Sequence, residues 1–99
     1  MSKVKLTDYV VEFLQKKGIH DFFGYQGTMI AHLVDSIEKN PHVRSHSSYH
    51  EQGAAFAACG YAQAKNACGC AYATSGPGAA NLLSGVADAY FDSLPVIFI

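Results

Sequence analysis

The sequence predicts an α/β fold: a parallel sheet with helices on both faces, in the order α-β-α-β-α-β-α-β. Three observations predict it. Segments with apolar residues at i, i+3, i+4 and i+7 alternate with short apolar runs. The runs are mostly uninterrupted, as in strands covered on both faces. Glycine, proline and asparagine punctuate the junctions. Such alternation implies parallel strands joined by right-handed crossover helices.

The elements follow in order. Leu6, Tyr9, Val10, Phe13 and Leu14 form the stripe of a first helix, with Thr7 or Asp8 as its cap and Lys16-Lys17-Gly18 as its stop. Ile19 to Phe23 is a first strand. Gly24-Tyr25-Gln26-Gly27-Thr28 is a loop before a second helix carrying Ile30, Leu33, Val34 and Ile37, which Asn40-Pro41 ends. Val43 to Ser47 is a short second strand. His50 to Ala64 is an alanine-rich helix with Phe56, Cys59 and Tyr61, suited to close packing. Cys68 to Thr74 is a strand of small residues, and Ser75-Gly76-Pro77-Gly78 a turn. Ala79 to Tyr90 is a helix with Leu82, Leu83, Val86 and Tyr90 on one face. Pro95 to Ile99 is the last strand.

The 99 residues suffice for one domain. Hydrophobic residues make up 49% and charged residues 15%, against a typical ~25% charged. This excludes disorder as the default, and the low charge predicts that much of the surface is covered. Seven basic and eight acidic residues give a net charge of −1. No basic cluster exceeds Lys16-Lys17, which disfavours nucleic acid and anionic membranes. No run approaches the ~20 residues of a membrane span, and no leader pattern is visible. Three cysteines, two of them only two residues apart, fit a reducing, cytoplasmic setting. The apolar ending Pro95-Val96-Ile97-Phe98-Ile99 predicts a fragment of a longer chain with an unpaired sheet edge, and hence self-association.

Ligands of parallel sheets bind outside the carboxyl ends of the strands. Those ends are Gly24–Thr28, Ser47–Glu51 and Thr74–Gly78. Glu51 opens a helix just after a strand. One reading is a solvated acid favoured by the helix dipole. The other is a carboxyl group with few charged neighbours, desolvated and raised in pKa, which shares a proton with a ligand nitrogen. Thr74-Ser75-Gly76-Pro77-Gly78 is either a tight turn or a loop bringing backbone N–H groups to a ligand. It matches neither a P-loop nor a dinucleotide fingerprint, and Ser75 is not in a nucleophile elbow. His20, His32, His42, His46 and His50 have no cysteine at metal-ligand spacing, so no metal site is expected. Cys59 reads as a core residue. Cys68 and Cys70 share one strand face as packing residues.

Five segments in order resemble a known family: Phe23-Gly24-Tyr25-Gln26-Gly27; His50-Glu51-Gln52-Gly53-Ala54-Ala55; Gly60-Tyr61-Ala62; Ala73-Thr74-Ser75-Gly76-Pro77-Gly78-Ala79-Ala80-Asn81-Leu82; and Asp88-Ala89-Tyr90-Phe91-Asp92-Ser93-Leu94-Pro95-Val96. Together they resemble the N-terminal pyrimidine-binding domain of thiamine-diphosphate enzymes, in the group of acetolactate synthase, pyruvate oxidase and 2-oxoacid decarboxylases. The resemblance implies a single partial domain over residues 1–99.

It also implies roles. Glu51 would hydrogen-bond the 1′ nitrogen of the cofactor's aminopyrimidine and so activate the cofactor toward a 2-oxoacid. Gln26, Gly27, Glu51, Thr74, Gly78 and Asn81 would contact the cofactor. Thiamine diphosphate would be held with Mg2+ by a C-terminal domain marked by Gly-Asp-Gly and a later Asn, which this sequence lacks. The expected partners are that domain or its subunit, a homo-oligomer and a 2-oxoacid, and the isolated chain is expected to be inactive. Departures from the family pattern are Gln26 in place of proline, and Cys59 and Gln63 where acetolactate synthases often carry Asp and Arg. The alternative is a non-catalytic, self-associating α/β domain that keeps only the fold. Glu51 speaks against it, because a remnant needs no acid there.

Overall fold

The computed structural model describes residues 2–99. The elements are α1 (Leu6–Lys16), β1 (Asp21–Gly24), a 3-10 turn (Thr28–Ile30) running into α2 (Ala31–Lys39), β2 (Arg44–Ser47), α3 (Glu51–Lys65), β3 (Gly69–Tyr72), α4 (Pro77–Asn81), α5 (Leu83–Phe91) and β4 (Val96–Phe98). The α/β alternation holds, with one helix divided in two. The four strands form one parallel sheet in the order β2-β1-β3-β4. The first strand therefore lies inside the sheet, and the chain crosses back over it between β2 and β3.

Each face of the sheet has its own core. On one side Val11 and Leu14 of α1 and Leu33 and Ile37 of α2 meet Ile19, Phe22, Cys70 and Tyr72. On the other, Ala55 and Ala58 of α3 and Leu82 meet Ala71 and Ala73, with Phe23, Val96 and Phe98 alongside. Residues 22 and 23, and 70 and 71, fall on opposite sides, as the strand period of two requires. Cys68 packs with Cys70 on the first side, as their spacing predicts. The second core is thin because small residues let α3 come close: a Cβ on Gly69 would overlap the carbonyl oxygen of Ala58.

Several local expectations are corrected. Thr7 and Asp8 do not cap α1. The cap position is Lys5, without a side-chain bond. Thr7 and Asp8 instead bond the buried Ser36 of α2, Thr7 Oγ1 lying 2.7 Å from Ser36 Oγ. Leu6, Tyr9 and Phe13 are exposed, and Val11 carries the buried face with Leu14. Phe56 is also exposed. Gly18, at φ +93°, ends α1 where the sequence places the stop.

The expected helix from Ala79 to Tyr90 breaks at Leu82, and of its expected stripe only Leu82 is buried. Leu82, Gly85 and Ala89 point inward, whereas Leu83, Val86 and Tyr90 are exposed. The cause is Gly85. A Cβ there would overlap the Cβ of Ala55, so α5 can reach α3 only with its small residues inward. β2 is not apolar either. Arg44, His46 and Ser47 are exposed on an edge strand that is only partly covered. The strand is tied to β1 by the buried Asp21, which accepts from Arg44 Nε at 2.9 Å and Nη2 at 3.1 Å and pairs with His46 Nε2 at 2.7 Å.

Candidate functional site at the carboxyl ends of β1 and β3

β1 and β3 are adjacent, with Gly24 opposite Tyr72. The loops that follow them are therefore brought together, and α3 starts beside them. Gly27, from the loop after β1, touches Thr74, from the loop after β3. A Cβ on Gly27 would overlap the Cβ of Thr74 and stand 2.7 Å from its Cγ2. On its other side Thr74 packs against Gly78, where a Cβ would stand 2.8 Å from Thr74 Cγ2 and 3.3 Å from Glu51 Oε1. The two glycines are the residues that let these three segments meet.

Glu51 is the first residue of α3 and Asn81 the last of α4. Asn81 Nδ2 donates to Glu51 Oε2 at 3.0 Å. This hydrogen bond is the main reason the Glu51 carboxyl lies below the usual glutamate value. Its own backbone amide and the nearby His50 act in the same direction, and burial opposes them. The expectation of a raised pKa is thus corrected: the half-buried acid is held as the carboxylate, because a donor has been supplied to it. It is an acceptor with one oxygen engaged by Asn81 and the other beside Gly78.

Of the residues singled out from sequence, Gly27, Glu51, Thr74, Gly78 and Asn81 form this one cluster. Gln26 does not join it. It is exposed and lines, with Gly27 of the cluster, an open groove that continues to Thr28, Val34 and Glu38, and among the described residues it makes no hydrogen bond to Glu51 or Asn81. One participant was not singled out from the sequence. His50 caps α3, its Nδ1 accepting from the Gln52 N–H at 3.0 Å. Its position just before the helix was visible, but capping preference ranks Ser, Thr, Asp and Asn first.

Among the described residues, no group of three or more His, Cys, Asp or Glu is placed to hold a metal ion. No described helix is long and apolar enough to cross a membrane. The three cysteines are free thiols, and burial pushes Cys59 up to about 11 and Cys70 up to about 12.

The family model described as "Thiamine pyrophosphate enzyme, N-terminal TPP binding domain" matches residues 4–99. Among curated relatives, a probable acetolactate synthase 2 of rice (Oryza sativa subsp. japonica) is 44% identical over 99 residues, all of this chain and 15% of the relative. Acetolactate synthase 1 of Zea mays is 43% identical over 96% of this chain and 15% of the relative. The Arabidopsis thaliana acetolactate synthase is 41% identical over 96% of this chain and 14% of the relative. All three are described as chloroplastic. The chain therefore spans about 15% of the length of the curated relatives it matches. An α/β parallel sheet, the site at its carboxyl ends and a match over nearly every residue agree: this chain belongs to the family of N-terminal TPP-binding domains of thiamine pyrophosphate enzymes.

Proposed function

We propose that the chain is the N-terminal, pyrimidine-binding part of a thiamine-diphosphate-dependent enzyme acting on 2-oxoacids, of the acetolactate-synthase kind, and that Glu51 is its catalytic residue. The observation that carries the reading is the Glu51–Asn81 hydrogen bond beside the Gly27–Thr74–Gly78 contact. It is supported by 44% identity to an acetolactate synthase over the whole chain.

The donor set suits an aminopyrimidine. A ring with both donor and acceptor nitrogens needs a partner able to accept, and at another moment to give, a proton. Glu51 is that partner. Asn81 fixes one carboxylate oxygen and so orients the other. Gly27 and Gly78 hold the loops close, and Thr74 spaces them. A pyrimidine bound against Glu51 would displace water from the carboxylate, and that desolvation would raise the Glu51 pKa from its low resting position toward proton sharing. Thiamine diphosphate, when bound, supplies the electron sink for breaking the bond beside a 2-oxoacid carbonyl. The diphosphate and Mg2+ are assigned to the part of the relatives that this chain does not span. Self-association into an oligomer belongs to the same reading. Gln26, Cys59 and Gln63, which depart from the family pattern, fit a divergent member.

The test is Glu51→Gln in the complete enzyme. Gln matches the shape of Glu but cannot carry the proton, so hydrogen–deuterium exchange at carbon 2 of the bound cofactor should slow by about 10²–10⁴-fold. Exchange at the wild-type rate would reduce Glu51 to a helix-start acid.

A further inference from the structure

We propose that His50 is the positioning residue for Glu51: its neutral imidazole, with Nδ1 unprotonated, caps α3 and fixes the turn on which the Glu51 carboxylate stands. The inference rests on the reading of Glu51 as the proton carrier, and it adds a residue with its own chemistry.

His50 has extended backbone (φ −148°, ψ 138°), and its side chain accepts from the Gln52 N–H at 3.0 Å. Its carbonyl accepts from the Ala54 N–H at 3.2 Å, which starts the helix. Two serines stand close by in the sequence, but their backbone belongs to the strand and its extension. Ser47 is the last residue of β2. The Ser48 N–H donates to Gly24 O at 2.9 Å and carries the pairing one step further. The strand thus fixes where the turn begins, and the capping position falls on residue 50. The catalytic acid follows immediately, so whatever orders His50 orders Glu51.

A histidine cap differs from a serine cap in one respect. It accepts only while Nδ1 lacks a proton. A protonated ring would turn a donor toward the Gln52 N–H and place positive charge at a helix N-terminus, against the dipole. His50 adjoins Glu51 and lowers its pKa, so a positive ring would hold the carboxylate ionised more firmly. Protonation of His50 therefore both loosens the turn and opposes the proton uptake Glu51 must perform.

The experiment compares wild type, His50→Asn and His50→Ala in the complete protein. Asn restores a capping oxygen that does not titrate. In cofactor-free protein, amide exchange at Gln52 should be about tenfold faster in His50→Ala than in wild type at neutral pH, the size expected for a lost cap, and restored in His50→Asn. Acid should remove the protection in wild type and leave it in His50→Asn. With thiamine diphosphate bound, exchange at carbon 2 should follow the same order, slow in His50→Ala and recovered in His50→Asn. Wild-type protection of Gln52 in His50→Ala, or failure of His50→Asn to restore it or the carbon 2 rate, overturns the proposal. A Glu51→Gln enzyme with an unchanged carbon 2 rate instead overturns the assignment of Glu51 and leaves the Gln52 result standing, so the two failures are distinguishable.

Discussion

Asn81 Nδ2 lies 3.0 Å from Glu51 Oε2, joining the last residue of α4 to the first residue of α3. The bond sets the charge state of the site, because it is the largest influence lowering the Glu51 pKa. Asn81→Ala should therefore move that pKa up toward the ordinary glutamate value, and Asn81→Asp should move it further by placing a second carboxylate alongside. A titration followed by carbon NMR of the Glu51 carboxyl checks both. The sign of the linked stability follows. A depressed carboxyl contributes stability above its unfolded pKa and loses it as pH falls through the folded pKa. The advantage of wild type over Asn81→Ala in urea should be present at neutral pH and disappear in acid below the usual glutamate range. An advantage that persists there would show that the bond acts only through packing.

The two glycines of the site make separable demands. Gly78→Ala should destabilise by about 1–3 kcal/mol, since its methyl would press on Thr74 Cγ2 at 2.8 Å. Thr74→Ser removes that methyl and should restore most of the loss. Gly27→Ala should cost at least as much, but Thr74→Ser should not rescue it, because the overlap is with the Thr74 Cβ that serine keeps. Thermal melts of the two single and two double variants decide the matter. Equal rescue of both would mean that the loops slide apart rather than pack.

The residues explain which parts of this were legible in the sequence. The inward side of α2 could be read because Leu33 and Ile37 are large and correctly spaced. The inward side of α5 could not, because hydrophobic spacing singles out large side chains and the contact is made by Gly85 against Ala55. Leu83, Val86 and Tyr90 formed a convincing stripe on the wrong side. The cluster around Glu51 was legible as a set of loops at strand ends. Its electrostatics were not, since the sequence places Asn81 thirty residues from Glu51 and gives no sign that the amide reaches the acid.

Asp21 offers a test at the opposite ends of the same strands. The Arg44 guanidinium beside it holds its carboxyl well below the usual carboxylate range, with His46 and Tyr61 adding to the effect and burial opposing it. Asp21→Asn should destabilise by about 1.5–3 kcal/mol at neutral pH, the range for hydrogen bonds to a charged group, toward its lower end because Arg44 is exposed. The sign is again that of a depressed carboxyl: the wild-type advantage should persist through mild acid and fade only as pH falls below the ordinary aspartate range. Chemical unfolding of both proteins across that range checks it. An advantage lost already in mild acid, while the Asp21 carboxyl is still ionised, would show that the pairing with Arg44 does not carry it.

Leu83 and Tyr90 are 65% and 79% exposed, with Val86 between them on the outer side of α5. A row of large apolar groups in water favours burial against another molecule. Leu83→Lys and Tyr90→Lys should each shift sedimentation toward the monomer while changing the melting free energy by no more than about 0.5 kcal/mol, as surface changes do. Undiminished association in both variants would place the contact elsewhere.

The sheet order carries a consequence for synthesis. β3 docks beside β1 only after the chain has travelled out to β2 and returned. Long-range pairings of this kind are formed late, because the intervening loop must first be ordered. A ribosome-bound chain that stops short of Asn81 can hold β1, α2 and β2 but cannot charge-tune Glu51. The Asn81–Glu51 hydrogen bond then forms only near the end of this segment, so shorter nascent chains present an untuned acid.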